Sequence, residues 1–301
     1  MIKLKKNYAS LSSKSTNLYE MTDEDIRKMH QVILEMYEDF YTVCRKHSIK
    51  PIAGGGTALG AIRHKGFIPW DDDMDLNLTR KDYELFKKVF KDEMGDKYDL
   101  LAPGYKDGAN CFVMRLMKKN TTLLNMIDYA SPYPTGIYMD ITPIDYAPDS
   151  VLMQKAKGFI ADMLRFISYS VYWNQYKSKY LEEFMMSSDG KNYYKLRMLT
   201  GKLFSFLSCE KWFKIFDNFI KGKKSDHLTV AAGRKKYFGE IYRKNIFFPL
   251  KTTPFEDKTI FVYNDMDTYL KTMYGDYMKI PDVKDREKHL CLKLDFNESR
   301  G

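Results

Sequence analysis

Four aspartates, Asp71, Asp72, Asp73 and Asp75, fall within five positions of a chain whose formal net charge is +9. Two carboxylates about 4 Å apart repel by roughly 4 kcal/mol at an effective dielectric near 20. A polar loop would relieve that by splaying its side chains, but this stretch, GFIPWDDDMDLNL, is apolar on both sides. From Asp71 the odd positions are Asp71, Asp73, Asp75 and Asn77, and the even positions after Asp72 are Met74, Leu76 and Leu78. A period of two predicts a strand over 71–79 with an acidic and an apolar face. Carboxylates fixed on one face call for a counter-cation, and an all-oxygen set without nearby cysteine suits Mg²⁺ or Mn²⁺. The plainer alternative is an acidic turn carrying a few helix caps.

Two further elements bear on the same chemistry. GGGTALG, residues 54–60, sits between a short strand candidate and a helix, where glycines let backbone approach a ligand and the helix start offers free N–H groups to phosphate. Arg63, His64 and Lys65 follow it as cationic donors. Downstream, Asp140 in IYMDITPID lies among Ile137, Met139 and Ile141 on a strand candidate; Asp145 is a nearby alternative, and a strand-end cap or ion pair is the plain reading of Asp140 by itself.

A glycine cradle followed by a strand of alternating carboxylates resembles the polymerase-β type of nucleotidyltransferase. More closely, GGGTALGAIRHKGFIPWDDDMDL resembles the characteristic block of the LicD family, which includes bacterial phosphocholine transferases and fukutin-type transferases. GIYMDITPID and YLKTMYGDYMKIP resemble that family's later blocks and occur in its order. The resemblance implies an α+β fold with a nucleotidyltransferase-like mixed-sheet core, and transfer of a phosphorylated alcohol from a CDP-activated donor to a sugar hydroxyl. By position it makes Asp71, Asp73, Asp75 and Asp140 catalytic carboxylates, with Asp73, Asp75 and Asp140 holding Mg²⁺ or Mn²⁺. It makes Gly55, Gly56 and Thr57 the phosphate cradle and Arg63 and Lys65 phosphate contacts. Tyr274, Gly275 and Asp276 form the last block, in a structural or a substrate-positioning role. Asp71 or Asp140 is the candidate base, with His64 as another. Trp70 either stacks on a base or a choline, or packs behind the strand.

Phosphocholine from CDP-choline is the donor group the family favours, and a teichoic-acid or lipopolysaccharide precursor is the acceptor class it implies. CDP-ethanolamine, CDP-ribitol or CDP-glycerol would use the same core. Two readings compete: a true nucleotidyltransferase, and a basic nucleic-acid or membrane binding protein with a degenerate site. The intact aspartate set argues against the latter.

Around this centre the composition is that of a globular chain, with 44% hydrophobic and 30% charged residues. No apolar run reaches bilayer-spanning length and the basic N-terminus lacks a signal-peptide core, which points to the cytoplasm. Cys44, Cys111, Cys209 and Cys291 show no metal spacing and read as free thiols. Residues 151–250 hold 19 Lys and Arg against 8 Asp and Glu, which suggests an anionic partner such as phosphate or the inner leaflet of the membrane.

The expected organisation is a loosely ordered start (1–20), a catalytic core (21–149), a basic helical subdomain (150–245), and strands and a helix (246–301) that complete the core. Thr22 and Asp25 predict a capped helix, with Ile26, Met29, Ile33, Met36, Tyr37 and Phe40 on its apolar face. Two long helices are expected over about 152–176 and 192–220.

Overall fold

The computed structural model describes residues 17–106, 108–286 and 289–296. The expected loose start falls mostly on 1–16, outside the described residues; beyond it, Tyr19–Glu20 pairs antiparallel with Leu290–Cys291.

The chain forms a mixed α/β structure. The capped helix is α1 (Asp23–Lys46): the Thr22 hydroxyl accepts from the Asp25 N–H and the Asp25 carboxylate accepts from the Thr22 N–H, closing both ends of the capping box. Its apolar stripe buries every residue expected of it. Next come β1 (Ile52–Ala53), α2 (Gly55–Arg63), β2 (Asp75–Thr79), α3 (Arg80–Met94), β3 (Tyr98–Leu101), β4 (Met114–Lys118) and β5 (Tyr138–Ala147). Helices α4 (Val151–Gln175), α5 (Lys179–Met186), α6 (Lys191–Leu203) and α7 (Cys209–Ile220) fill the middle. The chain then returns through β6 (His227–Thr229), β7 (Ile241–Arg243), β8 (Lys251–Phe255), β9 (Lys258–Val262) and α8 (Met266–Tyr274).

The main sheet runs β8-β9-β1-β2-β5-β4-β3, with β6 pairing the far end of β5 and β7 pairing β6. β9 with β1 and β2 with β5 are parallel; the other pairs are antiparallel. The late strands therefore sit directly beside the early ones. Phe40 of α1 meets Phe86 of α3 edge-on at 4.8 Å, inside a core that includes Ile52, Leu76, Leu78, Ile141 and Ile260. Helices α4 and α7 bury a second apolar cluster around Tyr172, Phe213 and Phe216, which Phe112 and Ala147 join to the sheet.

Three sequence expectations change. The strand begins at Asp75, not at residue 71, because Asp71–Met74 lies in an irregular segment that opens with a turn from the Asp71 N–H to the Ile68 carbonyl. The second long helix is two helices, α6 and α7, parted at residues 204–208, and α5 precedes them. Helix α8 stops at Tyr274 because Gly275 adopts φ 73°, a left-handed value that favours glycine. All four cysteines are buried and unpaired, and among the described residues no helix is long and apolar enough to cross a membrane.

Candidate active site

The odd-numbered positions of the acidic stretch converge. Asp71, Asp73, Asp75 and Asn77 line a cavity of about 450 Å³ together with Asp140, Glu240, Arg234, Tyr269, Tyr274 and His289. Asp75 and Asp140 are direct neighbours across the parallel β2–β5 pair. That pairing extends one step beyond the strand, where the Asp140 N–H donates to the Met74 carbonyl at 3.1 Å. The even positions Met74, Leu76 and Leu78 are fully buried, so the alternation holds through the irregular segment although the strand does not.

Two histidines fix that segment from outside. His30 of α1, stacked on Phe67 at 4.1 Å, donates through Nε2 to the Asp71 carbonyl at 2.7 Å. His289 reaches the Trp70 carbonyl through Nε2 at 2.9 Å and the Asp72 carboxylate through Nδ1 at 2.6 Å. Both nitrogens of His289 face acceptors. Burial alone would depress this imidazolium, but Asp72 and Asp71 outweigh burial and hold it above its ordinary value.

The glycines serve the carboxylates. A Cβ on Gly55, at φ 43°, would stand 2.7 Å from Asp75 Oδ2, and one on Gly56 would stand 2.7 Å from Asp71 Oδ2. The N-terminus of α2 thus faces two carboxylates, the charge its dipole favours. Thr57 is buried beneath them, its hydroxyl accepting from the Asp75 N–H at 2.8 Å. It braces the strand start and does not line the cavity.

Crowding raises the carboxyls. Burial, then Asp71, Asp75 and Asp72, push Asp73 well above the ordinary carboxylate range. Burial and then Asp140 push Asp75 up to about 7. Glu240, almost fully buried, is also pushed up to about 7, by burial. Asp140 is held by a bidentate pair: Arg115 Nε and Nη2 donate to its two oxygens at 2.8 and 2.9 Å.

The donor set Asp73, Asp75 and Asp140 is all oxygen, the chemistry a hard divalent ion takes, and the burial and crowding that raise Asp73 and Asp75 mark charge that a cation would offset. Asp140 would have to release Arg115 to serve as a ligand. Among the described residues the only three ligand groups already within 4.8 Å of one another are Asp71, Asp72 and His289, and there the doubly bonded ring of His289 is already committed.

Other sequence candidates lie outside the cavity. Arg63 donates to the Tyr277 and Lys279 carbonyls and to His64, tying α2 to the segment after α8. Lys65 is exposed at φ 60°. The Trp70 face is covered by the Arg286 guanidinium at 4.0 Å, with the His64 ring edge-on to it at 5.8 Å. Asp145 forms a buried pair with Arg80, which also binds Asp217 of α7. In the Tyr-Gly-Asp block, Tyr274 lines the cavity, Gly275 ends the helix and Asp276 is exposed. The Tyr274 hydroxyl is buried without a hydrogen-bond partner among the described residues.

Sequence reading did not assign Glu240, His289 or Arg234 to the site. Arg234 lines the cavity, and its guanidinium lies 5.9 Å over the Tyr274 ring. Glu240 had one visible signal: it is the lone acid between Asp226 and Glu256, in an otherwise basic run.

A mixed sheet thus aims carboxylates of neighbouring strands into one cavity, beside a glycine-started helix. Residues 48–157 match the LicD/FKTN/FKRP nucleotidyltransferase domain. Over 277 residues it is 28% identical to the lipopolysaccharide cholinephosphotransferase LicD of Haemophilus influenzae, covering 88% of this chain and 95% of that protein. Uncharacterized proteins of Rickettsia typhi and Rickettsia prowazekii are 30% and 32% identical over 82 and 75 residues, about a quarter of each chain.

Proposed function

We propose that the protein is a LicD-like phosphotransferase that moves phosphocholine from CDP-choline onto a sugar hydroxyl of a lipopolysaccharide or teichoic-acid precursor and releases CMP. The observation that carries this reading is the carboxylate cavity, with Asp75 and Asp140 side by side, in a chain that aligns nearly end to end with a cholinephosphotransferase. The sheet is read as a nucleotidyltransferase-like core of the polymerase-β type. The work is assigned to the cytoplasm, the compartment that holds nucleotide-activated donors.

In this reading the acceptor oxygen attacks the phosphorus that bears choline. The bond from that phosphorus to the bridging oxygen breaks, and its electron pair leaves with CMP. Such transfers depend on positioning and charge stabilisation more than on covalent help. Arg234 and the Tyr274 hydroxyl lie where they can bind diphosphate oxygens. Arg115 occupies both oxygens of Asp140, so the acceptor's proton is assigned to Asp71. Mg²⁺ or Mn²⁺, held by Asp73 and Asp75, and by Asp140 once it releases Arg115, would neutralise charge on the diphosphate when bound.

A thermal-shift panel tests the donor class. CDP-choline with Mg²⁺ is expected to raise the melting temperature more than CDP-ethanolamine, CDP-ribitol or CDP-glycerol, and more than any of these in chelator. Equal shifts from all four donors, or shifts that chelator leaves intact, would sink the choline assignment or the metal site respectively.

A further inference from the structure

We infer that helices α4 and α6 form a docking face for an anionic lipid surface, which the protein meets with apolar side chains as well as with lysines. Helix α4 has two apolar sides. Its inner side packs on the body, where Arg165 lies over Phe112 and Tyr172 packs on Phe213. On the other side, Phe166, Ser170 and Asn174 meet α6, through Arg197 over the Phe166 ring at 4.3 Å and the close approach of Gly201 to Asn174. The same side continues toward the N-terminus at helical spacing through Leu152, Phe159 and Met163, with Ile160 alongside, and there all four side chains are exposed. Leu152 is 77% exposed and Phe159 64%.

Helix α6 repeats the pattern one layer out. Tyr194, Arg197 and Gly201 are its buried face. Leu196, Leu199 and Leu203 fall on the opposite side, with Leu199 67% and Leu203 69% exposed, and Phe206 follows just beyond the helix. Because α6 sits on the outer side of α4, both bare apolar faces look away from the sheet in the same direction.

The charges around this face choose its occupant. Helices α4 and α6 together carry seven Lys and Arg against the single acid Asp162. Lys155, Lys191, Lys195 and Lys202 are exposed, and among the described residues none of them forms an ion pair. A second copy docked on the same patch would set lysines against lysines. An anionic bilayer surface offers headgroups to the lysines and hydrocarbon to the leucines, the pairing that holds interfacial helices on membranes. This rests on the surface alone and is independent of the chemistry in the cavity; if the acceptor is lipid-linked, the same face would bring the cavity to it.

The test is co-sedimentation of the full chain with phosphatidylcholine vesicles and with vesicles that also contain phosphatidylglycerol, read without turnover. Binding to the anionic vesicles is expected, weakened by salt but not abolished. The combined variant Phe159→Gln, Leu199→Gln and Leu203→Gln should lower partitioning roughly tenfold or more at an unchanged melting temperature, since these side chains are exposed. Lys191→Gln with Lys195→Gln and Lys202→Gln should reduce binding to anionic vesicles alone. In a second readout, Phe159→Trp should give a blue shift in emission on anionic vesicles. Absence of vesicle binding would overturn the inference. So would binding that ignores the apolar variant, an unshifted tryptophan, or a dimer in solution that the apolar variant dissolves.

Discussion

Asp75→Asn is expected to lower kcat/KM roughly a thousandfold, as loss of a group that stabilises transition-state charge does, while the melting temperature of the metal-free protein at neutral pH rises by a few degrees. The two effects have one cause. Asp75 faces Asp140 across the parallel pair and sits under Asp71 and Gly55, and burial with these neighbours pushes its carboxyl up to about 7. In chelator, the native state therefore holds this proton more tightly than the unfolded chain does. The stabilisation it gives is complete below the ordinary carboxylate value and is lost as pH rises through about 7. Wild-type melting temperature in chelator should fall across that interval, Mg²⁺ should restore it, and Asp75→Asn should flatten the slope. An asparagine that unfolds the protein at pH 7 and leaves the slope intact would make Asp75 a structural carboxylate.

Arg234→Ala is expected to lower kcat/KM for the CDP donor roughly a hundredfold, in the range of a lost charge-assisted contact to phosphate, with the acceptor's KM nearly unchanged. Arg234 is exposed at the cavity and forms no ion pair among the described residues, so stability should barely move. Arg63→Ala is the contrasting variant. Its guanidinium holds the Tyr277 and Lys279 carbonyls and touches no cavity group, so its loss should cost stability and leave donor kinetics within about twofold. If Arg63→Ala were donor-selective and Arg234→Ala silent, the diphosphate would enter from the far end of α2.

The contrast between these arginines shows what the sequence could and could not disclose. Alternation of aspartate with Met74, Leu76 and Leu78 was enough to place three carboxylates on one side, since a period of two survives even where Asp71–Met74 leaves the strand. Asp140 was legible because its apolar neighbours marked a strand. Arg63, a cationic donor shortly after the glycines, was made a phosphate contact by the family resemblance. Yet Gly55 and Arg63 open and close one helix, and eight residues at the α-helical rise separate them by about 12 Å. The N-terminal end faces the cavity and Arg63 does not. Trp70 looked available for stacking until the chain's far end laid Arg286 on it. Glu240, His289 and Arg234 reach the site only because β6 and β7 extend from β5 and the last segment returns to the acidic loop. Those are non-local pairings with no short-range signal, and a lone histidine or arginine carries no period. The doubly apolar α4 was legible as a long amphipathic helix, but which half α6 covers is a matter of tertiary packing.

Transfer of phosphocholine itself, rather than of a nucleotide, is open to a direct experiment. CDP-choline carrying ³²P in the phosphate next to choline, incubated with the protein, Mg²⁺ and an acceptor glycan, tests it directly. The label is expected to move to the glycan, unlabelled CMP to appear in equal amount, and chelator to stop both. Label retained in a cytidine nucleotide, or pyrophosphate released when a nucleoside triphosphate replaces CDP-choline, would contradict it and make the protein a nucleotidyltransferase.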